Sequence, residues 1–164
     1  MIPEQLRNKL ARQIAEADKK REKAIDVMYA LQGHYGHMSD EALQEGADLL
    51  GMTMLELEEL ATFYDFIYRE PVGQFVIHVC DGVVCWMYHE CSVFDYLCRK
   101  LGVKAGETTQ DGLFTVLPTA CIGDCHHAPA MLINGEFFGS LTPERIDDIL
   151  ERFANESCER VITK

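Results

Sequence analysis

Residues 74–85, QFVIHVCDGVVC, set a run of β-branched and aromatic residues directly before a pair of cysteines. Gln74 to Cys80 has the length and composition of a strand, and Asp81-Gly82 breaks it with loop-forming residues. Just upstream, at Pro71-Val72-Gly73, the period of the sequence changes, and everything before it reads as helix. Leu6, Leu10 and Ile14 are spaced by four, and Ile25, Met28, Tyr29 and Leu31 repeat the helical period up to Gly33, the expected breaker. Ser39 can cap a third helix carrying Leu43, Ala47 and Leu50, with Gly51 ending it. Thr53-Met54-Leu55-Glu56 fits a capping box, in which hydroxyl and carboxylate satisfy two orphan amides reciprocally, so a fourth helix is predicted to run to about Tyr64.

Downstream, Leu113 to Leu117 (LFTVL) reads as a second strand, and Cys91 to Leu101 has helical spacing that stops at Gly102. Met131-Leu132-Ile133, Asn134-Gly135 and Glu136-Phe137-Phe138 form a hairpin signal, because Asn-Gly supplies the positive φ angles of a tight turn. Thr142-Pro143-Glu144 opens a last helix with a cap, a proline at the first helical position and an acid in the first turn. The order β, α, β, β-hairpin, α predicts an α+β fold. A helical bundle is expected at 1–72 and a small sheet with packed helices at 73–164.

The chain has 164 residues, and its 48% hydrophobic and 26% charged content is enough to bury an ordinary core without staples. Fifteen Lys and Arg against 27 Asp and Glu leave a net charge of −12, which opposes phosphate backbones and anionic membranes, so no nucleic-acid partner is expected. The longest apolar run is Val83 to Tyr88, too short for a membrane span, and MIPEQLRNKLARQ lacks the basic start and apolar core of a signal peptide, so none is expected. A cytoplasmic setting is therefore expected, where clustered thiols more often serve metal or redox chemistry than disulfides.

Seven cysteines are present, and four form two close pairs, Cys80 with Cys85 and Cys121 with Cys125, thirty-five residues apart. Each pair follows a predicted strand, so neighbouring strand ends would bring four thiolates together. Zinc commonly takes tight knuckles, whereas a two-iron cluster suits longer spacers such as the four residues between Cys80 and Cys85. Spacing alone leaves [2Fe–2S] and zinc equally open, with disulfides or a redox-sensing thiol pair behind them.

The surrounding residues carry a resemblance. Cys121-Ile122-Gly123-Asp124-Cys125, then Ala128-Pro129, Ile133-Asn134, Gly139 and Leu141-Thr142-Pro143-Glu144, closely resembles the small [2Fe–2S] subunit family of NADH:quinone oxidoreductase, respiratory complex I. Cys80-Asp81-Gly82-Val83-Val84-Cys85 is similar to that family's first cysteine loop, Pro118-Thr119-Ala120 to the approach to the second, and Ala61-Thr62-Phe63-Tyr64 to the end of its helical portion. The resemblance implies a thioredoxin-like [2Fe–2S] ferredoxin domain behind the bundle, with Cys80, Cys85, Cys121 and Cys125 as cluster ligands. It implies an electron-transfer subunit of NADH:quinone oxidoreductase, on the peripheral arm. The implied partner is a larger FMN- and NADH-binding subunit, with whose flavin the cluster exchanges electrons. Related small subunits serve NAD-linked formate dehydrogenases and hydrogenases. All-cysteine ligation implies a low potential, about −400 mV. The chain departs from the family at Met87-Tyr88-His89, where a glycine is common, and at Asp124, where a small neutral residue is common.

The other candidates read as structural. Cys91, Cys98 and Cys158 are expected to pack as small hydrophobes. His126 and His127 could suggest Rieske-type ligation, but with four well-placed cysteines available they are expected to be hydrogen-bonded or exposed to solvent. Core packing is the first expectation for Trp86, and screening the centre or facing a partner the second. No Gly-rich phosphate loop and no nucleophile–base arrangement is present, so no bond-making catalytic residue is assigned and NADH and FMN would belong to another chain. No Cys-x-x-Cys occurs, so disulfide oxidoreductase activity is not expected. From Ala24 to Cys98 the only Lys or Arg is Arg69, and Met38 to Tyr68 carries eight acids: solvated helix faces first, a docking face for a basic partner second.

Overall fold

The computed structural model describes residues 1–88 and 92–162, with side chains through 157. Contacts divide the chain into two compact units, Met1–Pro71 and Val72–Lys164.

The first unit is helical. Helix α1 (Glu4–Ala15) buries Leu10 and Ile14, and a 3₁₀ turn at Lys20–Lys23 leads into α2 (Ala24–Tyr35). Helix α2 does not stop at Gly33. A Cβ there would meet nothing within 4 Å, so the chain carries glycine through an open position and ends at Gly36, whose φ of 85° closes the helix in the left-handed region. In α3 (Asp40–Leu50), Ser39 accepts the Ala42 amide as cap and the helix closes at Gly51. The capping box of α4 (Met54–Phe63) is formed in both directions, Thr53 accepting the Glu56 amide and Glu56 accepting the Thr53 amide. Buried Val27, Met28, Leu31, Leu43 and Leu57 join these helices in one core.

Glu45 is the polar hub of this unit: it accepts from the Ile2 amide, from Tyr35 Oη at 2.7 Å and from Arg7 at 2.6 Å. Burial pushes its pKa up, but the hydrogen bonds from Tyr35, Arg7 and Ile2 outweigh that and hold it below the usual carboxylate range. A depressed folded-state value adds stability that is complete above the unfolded value, about 4.3, and is lost as pH falls through the folded value. Thermal melts of Glu45→Gln against the parent chain should therefore differ most near neutral pH and converge in acid. A difference independent of pH would place the effect in packing rather than charge.

In the second unit, β1 (Phe75–Cys80), buried at every position, pairs parallel with β2 (Phe114–Thr119) and antiparallel with β3 (Met131–Ile133), and β3 pairs with β4 (Glu136–Phe138), giving the order β2-β1-β3-β4. The β3–β4 turn uses Asn134 and Gly135 at φ 47° and 87°. The Asn134 side chain also accepts the Val76 amide and donates to the Gln74 carbonyl, pinning the hairpin to the start of β1. Between β1 and β2 lie α5 (Val83–Met87), a short helix where the sequence pattern predicts loop, and α6 (Val93–Leu101). Helix α7 (Pro143–Ile162) follows β4, its first turn capped by Thr142. Phe75, Ile77, Leu97, Val116, Met131 and Ile146 lie at the centre of this core. Among the described residues, no helix is long and apolar enough to cross a membrane.

Candidate metal centre

The parallel register sets Cys80, the last residue of β1, opposite Thr119, the last of β2. The Asp81 amide continues the ladder to the Thr119 carbonyl at 2.9 Å, and the Cys80 amide donates to the Ala130 carbonyl at 3.1 Å. Both cysteine loops therefore leave the same end of the sheet. Gly82 lies between them: a Cβ there would come within 3.1 Å of Cys121 Cβ and 3.4 Å of Cys80 Sγ. Helix α5 turns Cys85 back toward Cys80, and the 3₁₀ turn Cys125–His127 brings Cys125 Sγ to 3.5 Å from Cys121 Sγ. Two thiolates on one tetrahedral metal with bonds of about 2.3 Å are about 3.8 Å apart, so this spacing suits a shared ion.

The pairs differ in environment. Cys80 and Cys85 are buried and form an apolar cluster with Ala130, packed by Ile122 and Ala128, whereas Cys121 is exposed and Cys125 half-buried. Burial, then the hydrogen bond with Cys80, pushes the Cys85 thiol up to about 11. The Gly123 amide, then Cys125, pulls Cys121 down, while the hydrogen bond with Cys121, then burial, pushes Cys125 up. A cation would reverse this logic, because a coordinated thiol loses its proton outright. The candidate donor set is four soft sulfurs with amide N–H groups of Ala130 and Gly123 aimed at two of them, which fits zinc or an iron–sulfur cluster.

Residues 10–154 match the family described as thioredoxin-like [2Fe-2S] ferredoxin. The chain belongs to that family. Its cofactor is accordingly a [2Fe–2S] cluster, which sets zinc aside. The E subunit of the NADH-quinone oxidoreductase of Escherichia coli (strain K12) is 42% identical over 130 residues, 79% of this chain and 78% of that one. The corresponding protein of Pseudomonas aeruginosa is 33% identical over 153 residues, 93% of this chain and 92% of that one. The ferredoxin is of this E-subunit type. Among solved structures, an NAD+-reducing [NiFe]-hydrogenase in its H2-reduced state superposes with a TM-score of 0.66 at 29% identity. That match covers 79% of this ferredoxin and 22% of the hydrogenase chain, so the ferredoxin spans about a fifth of that chain.

One neighbour of the centre departs from what the sequence pattern predicts. Trp86, expected in the core, is 66% exposed, since the short α5 turns only Cys85 inward and leaves Val83, Trp86, Met87 and Tyr88 toward solvent. Its ring still borders a cavity of about 220 Å3 beside Cys80, lined also by Phe94, Pro118 and Pro129. Asp124 is engaged by both histidines that follow Cys125, an arrangement whose only sequence signal is three polar residues around one cysteine. Cys98 packs half-buried against the sheet core. His89 and Cys91 lie outside the described residues, and so does the side chain of Cys158.

Asp124 precedes Cys125, whose thiol is a candidate ligand, and a cluster gains negative charge on reduction. A carboxylate there opposes the added electron by Coulomb repulsion. Asp124→Asn should raise the reduction potential in a redox titration performed with chelator present, and an unchanged or lower potential would reject this.

Proposed function

We propose that the ferredoxin holds one [2Fe–2S] cluster on Cys80, Cys85, Cys121 and Cys125 and passes single electrons between it and the flavin of a larger, NADH-oxidising partner in NADH:quinone oxidoreductase. The observation that carries this reading is the convergence of two cysteine loops from adjacent ends of β1 and β2, with one pair buried and the other at the surface. The cluster would supply one-electron chemistry. The protein supplies what surrounds it: a dry wall of Ala130, Ile122 and Ala128, amide donors at Ala130 and Gly123, and the Asp124 carboxylate. Iron and acid-labile sulfide analysis with electron paramagnetic resonance of the dithionite-reduced protein tests it. About two irons and a reduced-state signal are expected; one zinc and no signal would sink it.

The exposed face of α5 supports the partner half of the proposal. Val83, Trp86, Met87 and Tyr88 form an apolar surface flanking the buried Cys85, where a docked protein would shield the centre and shorten the electron path. Large aromatics in such patches are frequent anchors of binding energy. Trp86→Glu should weaken association with the flavoprotein about 30-fold or more while leaving the cluster signal in place. Unchanged affinity in a pull-down titration would remove α5 from the interface.

The hydrogenase likeness favours a second reading, the equivalent electron-transfer role in an NAD-linked hydrogenase. Affinity purification of the tagged chain from its own cells separates the two: a quinone-reducing partner set supports the first, a nickel–iron protein the second.

A further inference from the structure

Asp124, His126 and His127 cluster around the second cysteine loop. Asp124 Oδ1 lies 3.0 Å from His126 Nδ1 and 3.0 Å from His127 Nδ1, and all three ligand atoms fall within 4.8 Å of one another. An ion with bonds of about 2.0–2.1 Å to nitrogen and oxygen holds adjacent ligands about 2.9–3.4 Å apart, so two of the three edges already have coordination length. The imidazole rings are tilted against each other by 45° with centroids 4.1 Å apart.

The backbone holds this arrangement in place. The Ser140 amide donates to the His127 carbonyl, and the His127 amide to the Asp124 carbonyl at 3.1 Å. Gly139 packs so closely that a Cβ on it would come within 2.8 Å of the His127 carbonyl oxygen, so the β4–α7 connection fixes His127 from the far side. Asp124 and His127 line a cleft of about 340 Å3 together with Phe137, Ser140 and Arg145.

We propose that Asp124, His126 and His127 form a binding site for a single divalent first-row transition ion on the rim of the cysteine centre, completed by water. Two imidazoles and one carboxylate are borderline donors that suit cobalt, nickel or zinc, whereas the four thiols nearby suit the cluster. Arg145 lines the same cleft, and its positive charge would oppose a bound cation. An ion there places two positive charges beside Cys125 and partly offsets Asp124. On the proposed cluster reading, it therefore favours the reduced state and raises the potential.

The test uses the cluster-loaded protein and cobalt(II) in equilibrium dialysis, with iron and acid-labile sulfide measured in the same samples. One saturable cobalt per chain is expected, weakened about tenfold or more by Asp124→Asn or by His126→Asn with His127→Asn, and tightened by Arg145→Ala. Bound cobalt should also broaden the reduced-cluster resonance signal. An intact cluster without saturable cobalt, or binding indifferent to these substitutions, overturns the site and leaves the cluster reading standing. A chain lacking iron and sulfide overturns the cluster reading, and the site is then judged by cobalt bound after the thiols are alkylated: binding that still depends on Asp124 supports it, and none overturns it.

Discussion

Serine at Cys80, Cys85, Cys121 or Cys125 is expected to abolish the reduced-state resonance signal and to lower bound iron from about two per chain toward zero. The loss should be most complete at Cys85, which is 3% exposed in an apolar cluster: a serine hydroxyl there is both a poor iron ligand and a polar group buried without water. Cys121 is the exposed member, so its replacement should disturb the fold least and isolates the ligand effect from stability. Cys98→Ser is the control, since that thiol packs against the sheet core away from the centre, and it should keep the full signal. A variant at any of the four positions that retains stoichiometric iron and sulfide with an unaltered signal would remove that residue from the ligand set. Far-ultraviolet circular dichroism of each variant separates a lost ligand from a lost fold.

How far this site can be read from sequence depends on which forces fix each part. β1 is legible because Phe75-Val76-Ile77 and Val79 are buried on both faces of the sheet, and a doubly buried strand needs a continuous run of such residues. The pairing of the cysteine loops follows from that strand and its partner, since loops leaving parallel neighbours at the same end must meet. Helix α5 is not legible. Its five residues are all apolar or cysteine and carry no side-chain cap, so neither periodicity nor capping marks it, and tertiary contacts around Cys85 hold it instead. The exposure of Trp86 follows from the same cause, because composition does not say which side of a one-turn helix is covered. At Gly33 the helix continues because the position is open and the cost of glycine, about 1 kcal/mol, is smaller than the packing of Met28 and Leu31 around it. The Asp124 cluster depends on a 3₁₀ turn that begins at a cysteine, a geometry without a local sequence signature.

Truncating Phe75 to alanine is expected to cost about 3–5 kcal/mol, the usual range for a buried phenylalanine whose neighbours cannot collapse into the space. Phe75 is 2% exposed and is the point where three elements of the second unit meet: its ring lies 5.7 Å from Phe114 on β2 and 4.9 Å from Phe153 on α7. For a unit of this size, each kcal/mol is worth about 4–8 °C, so the midpoint of that unit's melting should fall by more than about 10 °C. Phe137→Ala is the matched control. It removes the same side chain from a position 39% exposed on β4, and should cost less than half as much. The substitution also reaches the metal centre through the sheet. Phe75 and Phe114 are partners in the same parallel register that places Cys80 beside Thr119, so loosening one end of the β1–β2 pair relaxes the alignment that brings the two cysteine loops together. Phe75→Ala should therefore lose its cluster faster than the parent chain on mild heating, with iron release preceding loss of helical signal. If Phe75→Ala melts and releases iron as Phe137→Ala does, then the aromatic contacts at the start of β1 do not set the register of the centre, and the connection from core packing to ligand geometry fails at that step.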